Sequence, residues 1–218
     1  VISKEMNENT VITGYCLIHN QQVVLSDNLL FSGNEKQPGP FFTEVYKNFS
    51  LNYPKFYKMD NLCKLGFLAS EFLLKDKEIT THYSGEDIGI ILYNAASSLD
   101  TDRNHQQSIQ DRSAYFPSPS VFVYTLANIV IGEIAIRHKI FGEGTFFIEE
   151  HFNPALMHEY VSRLFHDEML QCCITGWAEL DGNNYHGALY LVEKTGRGKE
   201  GIAIFEPQII EDIYLQRR

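Results

Sequence analysis

The sequence predicts an α/β protein on a mixed five-stranded sheet with covering helices, in the order βαβαβαββ. Three observations carry that expectation. Apolar runs of strand length alternate with stretches that keep a helical period. The run Ile88–Tyr93 is apolar throughout, as a strand covered on both faces must be. The last two strand-like segments flank Asp181-Gly-Asn-Asn184, a hairpin tip, so a sheet that starts with crossovers ends antiparallel.

Val11–Ile18 reads as the first strand, and Ser26–Phe41 follows it as a polar excursion with Gly and Pro. Over Tyr57–Lys75 the residues Leu62, Leu65, Leu68, Ala69, Phe72 and Leu73 form a helical stripe. Ile88–Tyr93 is the second strand, and Ser97–Ala114 is polar without periodicity, which reads as a long loop. Val121–Lys139 reads as one helix, ending in Arg137, His138 and Lys139 beside the negative end of its dipole, with Gly142 after it. Thr145–Ile148 is a short buried strand, and Asn153–Asp167 is a helix with Asn153 as N-cap and Pro154 at its first position. Leu170–Trp177 and Ala188–Glu193 make the hairpin, and Ile202–Phe205 can add one short strand.

Composition narrows the function. At 218 residues, 44% hydrophobic and 21% charged, the chain has the make-up of one globular domain, 1–218. A net charge of −10 argues against a general nucleic-acid binder, which needs a basic face. The 15 Phe and 12 Tyr point to extensive burial or a sizeable interface. Cys16, Cys63, Cys172 and Cys173 lack the spacing of metal ligands and read as buried, reduced thiols of a cytoplasmic protein. Cys172 and Cys173 should point to opposite faces of one strand. No apolar run reaches the roughly 18 residues of a membrane span, and the first residues lack the pattern of a signal peptide.

The turn between Thr145–Ile148 and the helix from Pro154 is where a nucleophile would gain most, since a helix N-terminus stabilises thiolates and oxyanions. Phe152 occupies that turn, and a phenyl ring cannot attack a carbonyl carbon. The flanking Glu150 and His151 offer a base, but no serine or cysteine lies in the turn for it to activate. No catalytic residue, cofactor-binding residue or metal ligand is therefore assigned.

Ser118-Pro119, Phe122, Tyr124-Thr-Leu-Ala-Asn128, Gly132-Glu-Ile-Ala135 and Gly142 resemble the N-terminal half of β-ketoacyl-ACP synthases of the thiolase superfamily. Thr145–Leu156 lies over that family's strand–Cys–helix element, with Phe152 at the cysteine. Thr13-Gly14-Tyr15 is similar to its first strand, and Pro54–Lys64 to its Arg-Met helix entry, although Tyr57-Lys58-Met59 stands there. The resemblance implies a thiolase-like half unit without the C-terminal half that carries the family's two histidines. It implies a partner or scaffold subunit of a fatty-acid or polyketide-type pathway, comparable to chain length factors. The alternatives are a 3-oxoacyl-ACP synthase component completed by a second polypeptide, and a non-enzymatic module that binds acyl chains or acyl carriers. The partners implied are a second copy or a complete ketosynthase, and an acyl carrier protein. A lone half should leave apolar residues of Ile129–Ile136 or Leu156–Phe165 uncovered, so a dimer is expected, with Thr145–Ile148 as a further interface strand.

Other motifs point nowhere specific. Gly196-Arg-Gly-Lys-Glu-Gly201 spells a dinucleotide-binding string but lies between two strands near the C-terminus, which suits a hairpin loop. Glu149, Glu150, His151, His158, Glu159, His166, Asp167 and Glu168 are rich in metal-ligating types, yet Ser162 stands where the second histidine of a zincin helix would be. Thr125 and Asn128 read as helix-start polar residues.

Overall fold

The computed structural model describes residues 10–111, 113, 117–195 and 201–216. One sheet runs through the molecule in the order β3-β2-β1-β7-β6-β4-β5. The five expected strands are all present and adjacent in it: β1 (Thr10–His19), β4 (Ile88–Asn94), β5 (Gly144–Ile148), β6 (Cys172–Asp181) and β7 (Asn184–Lys194). β2 (Gln22–Leu25) and β3 (Asn28–Ser32) lengthen it at one edge, and the two-residue β8 (Ala203–Ile204) pairs with β1. Among the described residues the sheet thus holds the five expected strands and three more, of which β8 lies in the segment Ile202–Phe205 that could add one.

The extra hairpin takes up part of the expected Ser26–Phe41 excursion. Its two tight turns, Asn20-Gln21 and Ser26-Asp27, hold all four residues at positive φ, which twists the backbone as a two-residue hairpin requires. The Tyr15 hydroxyl donates to the Asp27 carboxylate 2.6 Å away and fixes the second turn.

Alternating side chains divide the interior in two. On one face α1 (Pro38–Asn48), α2 (Asn61–Leu73) and α6 (Ile129–His138) cover Cys16, Ile18, Ile90, Leu92, Cys172, Ile174, Leu189 and Leu191. On the other, α7 (Pro154–His166) and α8 (Pro207–Tyr214) cover Tyr15, Leu17, Ile91, Tyr93, Cys173, Trp177, Tyr190 and Val192. Cys172 and Cys173 therefore lie in opposite cores, as alternation demands.

β6 pairs parallel with β4 and antiparallel with β7. At Gly176 (φ +156°) the β7 backbone comes so close that a Cβ would lie 2.0 Å from the Ala188 carbonyl oxygen. α6 crosses α2 at Gly66, where a methyl would lie 2.3 Å from Val130 Cγ2.

Two helix readings need correction. The polar stretch from Ser97 contains α4 (Leu99–Ile109), not a loop. It is tied down by contacts rather than by an apolar face: the buried Thr101 hydroxyl donates to Asp60 at 2.6 Å, and Arg103 pairs with Asp181. The expected single helix over Val121–Lys139 is split into α5 (Pro119–Val123) and α6. The Ser98 hydroxyl takes the Thr125 carbonyl at 2.6 Å, drawing the intervening residues off the helical ladder. The remaining short helix, α3 (Ile79–His82), leads through a 3-10 turn into β4.

Where α2 and α6 end together, the Arg137 guanidinium donates twice to the Glu71 carboxylate at 2.8 Å, and His138 Nε2 lies 3.1 Å from it. Burial alone would raise the Glu71 carboxyl, but the His138 and Arg137 contacts outweigh it and hold it at about 2. Because that value lies below the ordinary 4.5, the stability it contributes is complete above pH 4.5 and is lost as pH falls towards 2.

Gly176→Ala is expected to destabilise the fold by about 3 kcal/mol, since the methyl meets backbone on a strand with neighbours on both sides. Guanidinium unfolding measures the loss; a change under about 0.5 kcal/mol would mean that β7 yields there.

Candidate functional site

Among the described residues β5 is an edge strand, half-buried rather than buried, and hydrogen-bonded in register to β4 alone. The chain leaves it at Glu149, whose N–H donates to the Asn94 carbonyl, and turns through Glu150, His151 and Phe152 into α7. Asn153 caps α7 as expected, with Oδ1 accepting from Leu156 N at 3.1 Å.

That cap limits what the turn can stabilise. Pro154 has no N–H, Leu156 N is held by the Asn153 side chain, and Met157 N donates to the Asn153 carbonyl. The first turn therefore has only the Ala155 N–H to offer an oxyanion, where such sites work with converging donors.

The Phe152 ring stacks on Tyr214, the last residue of α8, with centroids 3.9 Å apart and planes 11° from parallel. It also meets Trp177 of β6 edge-on at 5.9 Å. Tyr214 in turn stacks on His186 of β7 at 4.2 Å, and His186 packs against His19 of β1 at 4.7 Å. His19 Nε2 lies 2.8 Å from the Gln216 side-chain nitrogen just beyond α8. Four chain segments thus meet in one row of rings.

The row runs along the carboxyl ends of the parallel strands, where open α/β sheets commonly bind ligands. Here Glu179 of β6 accepts from the N–H of Ala95 at 2.6 Å and of Ala96 at 3.2 Å, filling the backbone donors after β4. Burial holds His186 down at about 4, with His19 adding to the effect, and burial lowers His19 as well. Tyr214 is raised by burial and by the Glu179 charge. The row is a set of neutral rings.

Of the residues singled out in the sequence, Phe152 alone joins this cluster. Glu150 and His151 are exposed, and the His158 ring packs against Phe205 at 5.6 Å. Thr125 donates to the Phe122 carbonyl, and Asn128 stands at the N-cap of α6 without a capping side-chain bond, so both are structural. The glycine string lies outside the described residues except for Gly201, which abuts Val11. Trp177, Glu179, His186, His19 and Tyr214 were not anticipated. The only signal for the last was the helical spacing of Ile210, Ile213 and Tyr214 after Pro207.

The helices expected to be uncovered are largely covered. α8 packs on α7, and Ile210 and Ile213 are buried there along with Leu164 and Phe165. Ile134 is 0% exposed beneath α6.

No protein-family model and no curated protein matches the chain. Solved structures do. A chain of the ishigamide ketosynthase/chain length factor superposes with a TM-score of 0.62 at 18% identity, over 88% of this chain and 64% of that one. A chain of AntDE:AntF, a type II polyketide acyl-carrier protein in complex with its ketosynthase, gives 0.57 at 12%, over 87% and 63%. A chain of the Xenorhabdus doucetiae ketosynthase ApeO in complex with its chain length factor ApeC gives 0.54 at 11%, over 96% and 91%. This chain therefore spans less than two thirds of the first two matched chains and nine-tenths of the third. The likeness shows the fold, which this chain shares with those ketosynthase and chain length factor structures.

Protonating His186 places a charge between two stacked rings, so the stability it governs is complete above its ordinary pKa of 6.5 and falls as pH drops from 6.5 to about 4. Trp177 is the single tryptophan, and its emission is expected to change around pH 4 in the native protein, where His186 takes up its proton. In His186→Phe, which keeps a ring in the stack, that limb should vanish while the Glu71 limb below pH 4.5 remains. Superimposable titrations of the two proteins would remove His186 from this role.

Proposed function

We propose that the chain is a non-catalytic β-ketoacyl-synthase-like subunit of a fatty-acid or polyketide-type pathway in the cytoplasm. It would act as partner or scaffold to a complete ketosynthase, in the manner of a chain length factor. The observation that carries this reading is Phe152: an inert ring, stacked on Tyr214, at a strand-to-helix turn with one spare N–H. The likeness to structures of ketosynthases with chain length factors supports it. On this reading residues 1–218 act as one unit.

The surface supports a partner at β5. Ile136 is 65% exposed, Phe141 73% and Ile148 52%, beside an unpaired strand edge that natural proteins ordinarily protect. Gly132 lies inside α6, yet a Cβ there would meet nothing within 4 Å. A helical glycine costs about 1 kcal/mol relative to alanine, and no neighbour among the described residues repays it. A second chain approaching α6 closely does.

An acyl carrier protein is the second partner on this reading. Although the net charge is −10, residues 45–70 carry Lys47, Lys55, Lys58 and Lys64 against Asp60 alone. The Asp60 carboxylate is turned inward to Cys63 N and Thr101 Oγ1 and Lys55 pairs with Glu133 at 2.8 Å, which leaves Lys47, Lys58 and Lys64 as the basic residues of this stretch near the exposed Tyr57 ring.

Incubation with acyl-CoA or acyl-carrier thioesters is expected to leave the intact mass unchanged. A stable adduct on the peptide around Phe152 would replace this reading with that of a condensing enzyme completed in trans. Gly132→Ala is expected to stabilise the isolated chain by about 0.5–1 kcal/mol while weakening its self-association or its complex with a ketosynthase at least several-fold, read by thermal unfolding and light scattering. A variant that associates as tightly as the native chain would move the interface away from α6.

A further inference from the structure

We propose that the cleft where α2 and α6 end is a binding site for a small amphipathic carboxylate, independent of the Phe152 turn. The cleft encloses about 350 Å³, within the range of small-ligand sites, between Phe49, Leu51, Phe72 and Leu74 on its apolar walls and Glu71, Lys75, Arg137 and His138 on its polar ones. It lies on the outer side of the helices that cover one face of the sheet, whereas the ring row lies under α7 and α8 on the other.

The polar wall holds unused donors. Arg137 spends Nε and one terminal nitrogen, Nη2, on Glu71, and neither described bond uses Nη1. The guanidinium is held rigidly, lying over the Tyr53 ring at 5.2 Å and the Phe67 ring at 6.0 Å. Lys75 is exposed and makes no ion pair among the described residues. Glu71 is the one acid lining the cleft, and its charge is answered within the fold by Arg137, with His138 3.1 Å away. Lys75 therefore leaves the cleft with an unanswered positive charge on a protein of net charge −10.

Cations at helix C-termini are ordinarily explained by the dipole alone. That account covers Arg137 and His138 in the last turn of α6, but it supplies no use for an apolar recess between Phe49 and Phe72 with a free guanidinium edge and a free ammonium at its rim. A carboxylate with a short apolar chain satisfies both: the head on Lys75 Nζ and Arg137 Nη1, the chain against the phenyl rings.

Octanoate is the probe. Titration of the full chain, followed by calorimetry and by NMR of the aromatic protons, is expected to show one saturable site that shifts the Phe49 and Phe72 rings. Lys75→Glu should weaken it roughly fivefold or more, while Lys75→Arg retains it. Octylamine, with the same chain and the opposite charge, should not compete. No saturation at millimolar octanoate, equal binding by Lys75→Glu, or octylamine binding as tightly would each overturn the proposal. Both Lys75 variants change an exposed side chain, so a loss confined to Lys75→Glu reads as charge rather than as misfolding.

Discussion

The whole molecule depends on one strand that serves two masters. β6 takes β4 as a parallel neighbour and β7 as an antiparallel one, so the crossover half of the chain and the hairpin half are joined along its length. The two ladders differ in hydrogen-bond spacing, and the strand accommodates both around Gly176, where the β7 backbone presses too close for any side chain. Next to it the Thr175 hydroxyl donates to the Ile91 carbonyl, adding a bond across the parallel ladder. Successive residues of this strand feed opposite cores, so a register slip of one residue would exchange the two interiors.

Much of the frame was legible because strands buried on both faces have no alternative partners. Ile88–Asn94 is buried at every position, and the continuous apolar run is the direct imprint of that burial. The elements that escaped are those held by contacts between distant residues. α4 is polar nearly all round and exists because Asp60 and Asp181, far away in sequence, hold Thr101 and Arg103. The break between α5 and α6 is made by the Ser98 hydroxyl, which no local pattern reveals. The β2–β3 hairpin escaped because its turns use Asn20-Gln21 and Ser26-Asp27 rather than the glycine that ordinarily marks such turns.

At the candidate site the sequence could show what was missing but not what had replaced it. A phenylalanine before an Asn-Pro helix start is visible in the string of residues. That its ring meets Tyr214 is a tertiary fact joining positions 62 residues apart in the chain. The same helix, α8, buries Leu164 and Phe165, so the C-terminal segment both fills the turn and covers α7. α8 thus does the work of a covering layer on that face, and apolar side chains remain in the open on the α6 and β5 side at Ile136, Phe141 and Ile148.

The pairing of β1 has a consequence in time as well as in space. Its residues, Thr10–His19, leave the ribosome long before their ladder partners, β7 (Asn184–Lys194) and β8 (Ala203–Ile204). Until those emerge, β1 has only the β2–β3 hairpin beside it, and one edge of a markedly apolar strand stays open. Synthesis at about 5–20 residues per second makes that interval roughly 10–40 seconds. Closure of the sheet is therefore a long-range event of high contact order, and β1 keeps an edge open to aberrant pairing until β7 has been made.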